Sequence, residues 1–85
     1  MAVRILYFAW VREQIGVAEE DVNLPATVET VGALIDWLSA RSDRHAEALA
    51  SRERLRAAVD EAFVPLSAPI AGAREIAIFP PVTGG

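Results

Sequence analysis

Cysteine and lysine are both absent from the 85 residues, and histidine occurs once, as His45. Without cysteine the chain forms no disulfide and no thiolate metal site, which fits a reducing compartment. All eight basic residues are arginine, so no side-chain ammonium can form a Schiff base or accept an isopeptide bond. A single imidazole leaves little material for an acid/base pair or an activated nucleophile, so any chemistry here needs a partner. Long apolar runs are missing too. They extend a few residues only, far short of the ~20 that span a bilayer, and the first residues read as a strand rather than a signal peptide. Acidic residues outnumber basic ones 12 to 8, for a net charge of −4, which argues against binding a phosphate backbone. Neither nucleic acid nor membrane is an expected partner, and the cytoplasm is the expected location.

What the chain does have is apolar content, 53% of its residues. Its length allows one domain with a thin core, since a domain of this size buries roughly 60–65% of its unfolded surface. The opening residues alternate, with Val3, Ile5 and Tyr7 on one face and Arg4, Leu6 and Phe8 on the other, as in a β-strand. Gly16 marks a turn or a short helical detour. Val22 and Leu24 then alternate with Asp21 and Asn23 in a second strand, the hairpin partner of the first, and Pro25 closes it. Thr27 is the expected N-cap of a helix from Val28, in which Val31, Leu34, Ile35 and Leu38 recur at helical spacing. Ser42 or Asp43 can cap a shorter helix through Ala50, and Arg52, Glu53 and Arg54 form a polar connection. LRAAV and AFV read as a second hairpin turning at Asp60 and Glu61. Residues 65–72 form a Pro- and Gly-punctuated connection, and REIAIF is the last strand, with Ile76 and Ile78 opposed to Ala77 and Phe79.

Strand, strand, helix with a short helical appendage, then three strands gives an α+β order. The expected fold is a β-grasp of ubiquitin-like type, a mixed sheet of about five strands covered on one face by the main helix. The domain is expected over residues 1–79, with 80–85 as an extended tail. Pro80 and Pro81 fix φ and donate no backbone hydrogen bond, so the chain leaves the sheet extended. Val82 and Thr83 are stiff, while Gly84 and Gly85 have no side chains. Six such residues reach about 20 Å at roughly 3.3 Å each. A thin projecting segment of this kind can enter a narrow pocket in another protein and present its carboxylate there.

These residues meet a known pattern. IFPPVTGG at 78–85, with the opening strand running into FAWVRE, TVETVGALIDWL, SDR at 42–44 and LRAAV, resembles the MoaD type of ubiquitin-like sulfur carrier, the small-subunit family of molybdopterin synthases. Two turns depart from that family's habit, which places Asn where this chain has Asp60 and Gly-Asp or Gly-Glu where it has Gly72, Ala73 and Arg74. The resemblance implies a Gly85 carboxylate that an E1-like enzyme adenylates with ATP and a sulfur donor system converts to a thiocarboxylate, with Gly84 supplying slimness. It further implies insertion of the tail into a large subunit and sulfur donation to cyclic pyranopterin monophosphate, in a complex of two large and two small subunits. No cofactor would be bound by the chain itself. Acid and base residues would belong to the large subunit. A carrier for thiazole, cysteine or tRNA thiolation, and an interaction module whose tail is never activated, are the alternatives.

The remaining candidates are surface residues. Phe8 and Phe79 fall on the parity opposite to the core positions and would share the open face of the sheet. With Phe63 they form a candidate docking surface, since aromatics dominate interface cores; the alternative is that a ring completes the core. Pro80, Pro81, Val82 and Thr83 extend that surface into the tail, and Arg12 and Arg44 match basic positions of the family. Glu19, Glu20 and Asp21 read as a solvated strand edge, His45 as a surface residue, and Trp10 and Trp37 as packing residues.

Overall fold

The computed structural model describes residues 2–81; Val82, Thr83, Gly84 and Gly85, expected to complete the tail, lie outside the described residues. Strand β1 (Ala2–Tyr7) leads through helix α1 (Ala9–Ile15) to β2 (Glu19–Asn23). Helices α2 (Val31–Ser39) and α3 (Asp43–Ala48) follow, and a single 3₁₀ turn (Arg52–Arg54) precedes β3 (Arg56–Val59), β4 (Ala62–Val64) and β5 (Glu75–Phe79). The strands form one sheet in the order β2-β1-β5-β3-β4. All neighbours are antiparallel except β1 and β5, which run parallel with Ile5 opposite Ile76 and Tyr7 opposite Ile78. This is the mixed β-grasp sheet expected from the element order.

Alternation decides which face is covered. Val3, Ile5 and Tyr7 of β1, Ile76 and Ile78 of β5 and Ala57 of β3 are buried in one cluster with Val31, Leu34, Ile35 and Leu38 of α2. The detour at Gly16 is a helix: α1 buries Val11 and Ile15 and ends on Gly16 at φ 98°, a left-handed conformation that glycine adopts without steric cost.

The main helix starts one turn later than its hydrophobic pattern suggests. Val28 N–H donates to the Pro25 carbonyl in a turn, so the first helical residue is Val31, and Thr30 rather than Thr27 is the N-cap, its hydroxyl accepting from Ala33 N–H at 3.1 Å. The Pro-punctuated connection explains the shift. Its Ala68 and Leu66 carbonyls accept from Val31 and Gly32 N–H, satisfying donors that a helix start leaves without intrahelical partners. Thr30 also forms a bridge with Pro69, and Ile70 is buried beneath. Long-range pairing thus outweighs local capping chemistry.

A polar network fixes α3 to the sheet and corrects two expectations. Ser42 caps the helix, its hydroxyl accepting from His45 N–H at 3.1 Å. The His45 ring is buried, contrary to its reading as a surface residue, with Nδ1 2.7 Å from Ser42 Oγ and Nε2 2.7 Å from Glu20 Oε2. A carboxylate only accepts, so Nε2 carries the proton. Glu20 is drawn inward, its side chain 18% exposed against 53% for Glu19 and 74% for Asp21, so the acidic run is a solvated edge at two positions of three. Its Oε2 also accepts from the buried Tyr7 hydroxyl at 2.7 Å, and Arg41 Nη2 lies 3.8 Å from its Oε1. The Tyr7 hydroxyl titrates above its ordinary range through burial first and its bond to Glu20 second. Burial works to raise the Glu20 carboxyl, yet the hydrogen bonds from His45 and Tyr7, with the charges around it, outweigh that and hold it below the usual carboxylate range. Trp10 and Trp37 pack against the core as expected, with the Arg54 and Arg41 guanidinium groups stacked over their rings at 5.0 and 5.1 Å.

Two outcomes follow. Leu34→Ala, at a fully buried site, is expected to cost about 2–5 kcal/mol in urea unfolding through lost burial and a residual cavity. Because the folded Glu20 carboxyl titrates low, its stabilisation is complete above the unfolded carboxylate range and disappears as pH falls through the folded value. Glu20→Gln should therefore destabilise by about 1–3 kcal/mol at pH 7, and urea midpoints against pH should show the two proteins converging below pH ~4.

Candidate functional site: the open face of the sheet

The face turned away from the helices carries the other parity of each strand. Ladder register lines up Leu6 of β1, Ala77 of β5, Ala58 of β3 and Phe63 of β4 in one row across the sheet. Two alanines in the middle make a low floor. Phe8, Phe63, Phe79, Pro80 and Pro81 stand around it, and the whole encloses a shallow basin of about 530 Å³. Phe63 is 80% exposed and Phe8 48%. The rings of Phe63 and Phe79 meet with centroids 5.6 Å apart and planes tilted by 48°, so the basin wall is partly preformed. Exposed aromatics grouped in this way make the basin the candidate docking surface.

The geometry brings Phe8, Phe63, Phe79, Pro80 and Pro81 together at the end of the sheet where β5 stops. It does not bring Arg12 or Arg44 to the basin: both are exposed, on α1 and α3, and neither lines it. Arg44 packs its guanidinium beside Gly16, where an added Cβ would approach Nη1 to 2.8 Å. The far half of the open face is charged, with Arg4 3.2 Å from Glu19 and 3.1 Å from Asp21.

The turn chemistry supports this arrangement. Asp60 and Glu61 both take positive φ, 47° and 73°, the hand that joins twisted strands in a two-residue hairpin. Asp60 Oδ1 accepts from Arg74 N–H and Glu75 N–H, each at 3.0 Å, and its own N–H donates to the Glu75 carbonyl. The β3–β4 turn is thereby locked to the start of β5. Asp60 thus performs a double acceptor role for which one side-chain oxygen suffices. The sequence pattern marks Leu6 and Ala77 by parity, since they alternate with Phe8 and Phe79, but does not single them out as a floor, and Ala58 joins them only through its register with Ala77 and Phe63. Among the described residues no group of three or more His, Cys, Asp or Glu is placed to hold a metal ion, and no helix is long and apolar enough to cross a membrane.

Comparison with known proteins agrees with this architecture. Residues 5–85 match the model of the ThiS family. The chain belongs to the ThiS family. Within reach of this ThiS-family chain are curated relatives named molybdopterin synthase sulfur carrier subunit. That of Escherichia coli K12 is 42% identical over 83 residues, covering 98% of this chain and 99% of the relative. That of Mycosarcoma maydis is 36% identical over 89 residues, covering 99% and 94%. Among solved structures, SAMP1 from Haloferax volcanii superposes with a TM-score of 0.73 at 26% identity over the whole of both chains. A putative molybdopterin converting factor subunit 1 from Pyrococcus furiosus gives 0.72 at 25% identity, over 96% of this chain and 99% of that one. The ThiS-family match includes the IFPPVTGG segment, which begins on β5 at the basin.

Because Phe63 stands in solvent, the ThiS-family fold should tolerate its loss. Phe63→Ala is expected to change the unfolding free energy by no more than about 1 kcal/mol, measured by urea denaturation.

Proposed function

We propose that this chain is the sulfur carrier of a molybdopterin synthase, its small subunit, acting in molybdenum cofactor biosynthesis. The observation that carries the reading is continuity: the apolar basin lies at the end of β5, and Pro80 and Pro81, which begin the tail toward Gly84 and Gly85, form part of its wall. One partner that covers the basin therefore receives the tail in the same encounter. The names borne by relatives at 36–42% identity support the pathway.

The chemistry fits the inventory of the chain. With no cysteine, sulfur must ride on something other than a thiol, and a terminal carboxyl is available at Gly85. An oxygen of that carboxylate attacks the α-phosphate of ATP on an E1-like enzyme, releasing pyrophosphate. Hydrosulfide supplied by a sulfur donor system then attacks the acyl carbon, displaces AMP and loses its proton, leaving a thiocarboxylate; adenylation supplies the leaving group that a bare carboxylate lacks. Gly84 keeps the chain narrow beside the reacting carbon, and Val82 and Thr83 give reach. The thiocarboxylate passes its sulfur to cyclic pyranopterin monophosphate inside the large subunit, which contributes the acid and base groups. Two large and two small subunits form the complex, with Phe8, Phe63 and Phe79 as the docking residues and Arg12 and Arg44 as outlying contacts. The chain binds no cofactor of its own. Its cysteine-free composition supports a reducing, cytoplasmic setting.

Intact mass before and after incubation with ATP, the E1-like enzyme and a sulfur donor tests the carrier step. We expect a gain equal to one oxygen-to-sulfur exchange on the terminal glycine, and none in a variant lacking Gly85. Phe63→Ala is expected to weaken binding to the purified large subunit by at least about tenfold, the loss typical of a truncated interface anchor. Thiolation without binding to that subunit would redirect the carrier to another thiolation pathway.

A further inference from the structure

Among the described residues, three that are not glycine adopt positive φ: Ala9 at 52°, Asp60 at 47° and Glu61 at 73°. Asp60 and Glu61 are accounted for by the hairpin they close and by the two N–H groups that Asp60 holds. At Ala9 the positive φ turns the chain from β1 into α1, a bend that does not call for a side chain. A methyl group makes no hydrogen bond, and Ala9 opens a helix instead of closing a hairpin. A left-handed L-residue is disfavoured at every such position, and glycine removes the clash. The chain uses glycine for such a conformation at the other end of the same helix: α1 is entered through Ala9 and left through Gly16, at φ 98°. At Gly16 a Cβ would strike the Arg44 guanidinium. At the entrance the Cβ is present, on an exposed residue that lines the basin with Phe8, Phe79 and Pro80.

We infer that Ala9 is a docking residue: its methyl group is part of the surface that the large subunit covers, and the chain bears an unfavourable backbone conformation to present it. The inference rests on the function proposed above. The left-handed turn has a second consequence for the same surface. Phe8 is extended and its N–H donates to the Ile78 carbonyl of β5 at 3.3 Å; directly after it the chain turns away, so the helix that follows buries Val11 and Ile15 on the opposite side. The basin therefore has Phe8 and the Ala9 methyl as its last features on that side, with the chain withdrawn behind them.

Ala9→Gly separates contact from folding, because it removes the methyl and the backbone clash together. Titration of wild type and Ala9→Gly with the purified large subunit, by calorimetry, is expected to show affinity reduced about fourfold, the effect of one buried methyl. The urea midpoint of the free variant should be equal to or above that of wild type. Ala9→Asn, which also tolerates the left-handed turn but puts an amide in the basin, should keep the urea midpoint and bind more weakly still. Equal binding by wild type and Ala9→Gly overturns the inference and leaves the proposed function standing, as does a fall in the Ala9→Gly urea midpoint. Absence of binding by wild type itself overturns the proposed function and the inference with it.

Discussion

The parallel pairing of β1 with β5 is the constraint on which the rest of the molecule depends. Two antiparallel hairpins, β1–β2 and β3–β4, have no ladder with each other; β5 lies between them and pairs with both. Its insertion sets Ile76 and Ile78 beside Ile5, Tyr7 and Ala57, completing the floor on which α2 packs. The same insertion sets Ala77 between Leu6 and Ala58 and so completes the basin on the other face. Core and basin are thus the two parities of one strand, and a register slip of one residue would exchange them.

Helical layer and sheet meet through different chemistry on the two sides. Over the centre the contact is apolar, α2 on the inward parity of the strands. At the β2 edge it is polar, with Tyr7, Glu20, Ser42 and His45 joined through hydrogen bonds of 2.7 Å. A buried network is stabilising only when each member has its partners, and no buried side-chain nitrogen or oxygen among the described residues is left without one.

Much of this was legible in the sequence, because strands and amphipathic helices announce themselves by periodicity. The parity of Val3, Ile5 and Tyr7 against Leu6 and Phe8 reads directly as two faces, and the last strand reads the same way. Less legible were features that depend on residues far apart in the chain. Nothing local tells that Ala68 and Leu66 will satisfy the start of α2, which is why Thr30 displaces Thr27 as its cap. Nothing local tells that Glu20 will turn inward, since its partners come from β1 and α3. The same limit applies to the basin: aromatic residues advertise themselves, while Ala58 and Ala77 matter only because register places them side by side.

The position of β5 also determines how the domain bears load. Ladder hydrogen bonds run across the strands, so tension applied at Pro80 along the axis of β5 acts in shear on bonds to β1 and β3 together, instead of opening them one after another. An edge strand would peel. Held on both sides, β5 resists a pull at Pro80 as one unit, and its extraction requires the whole ladder to yield at once.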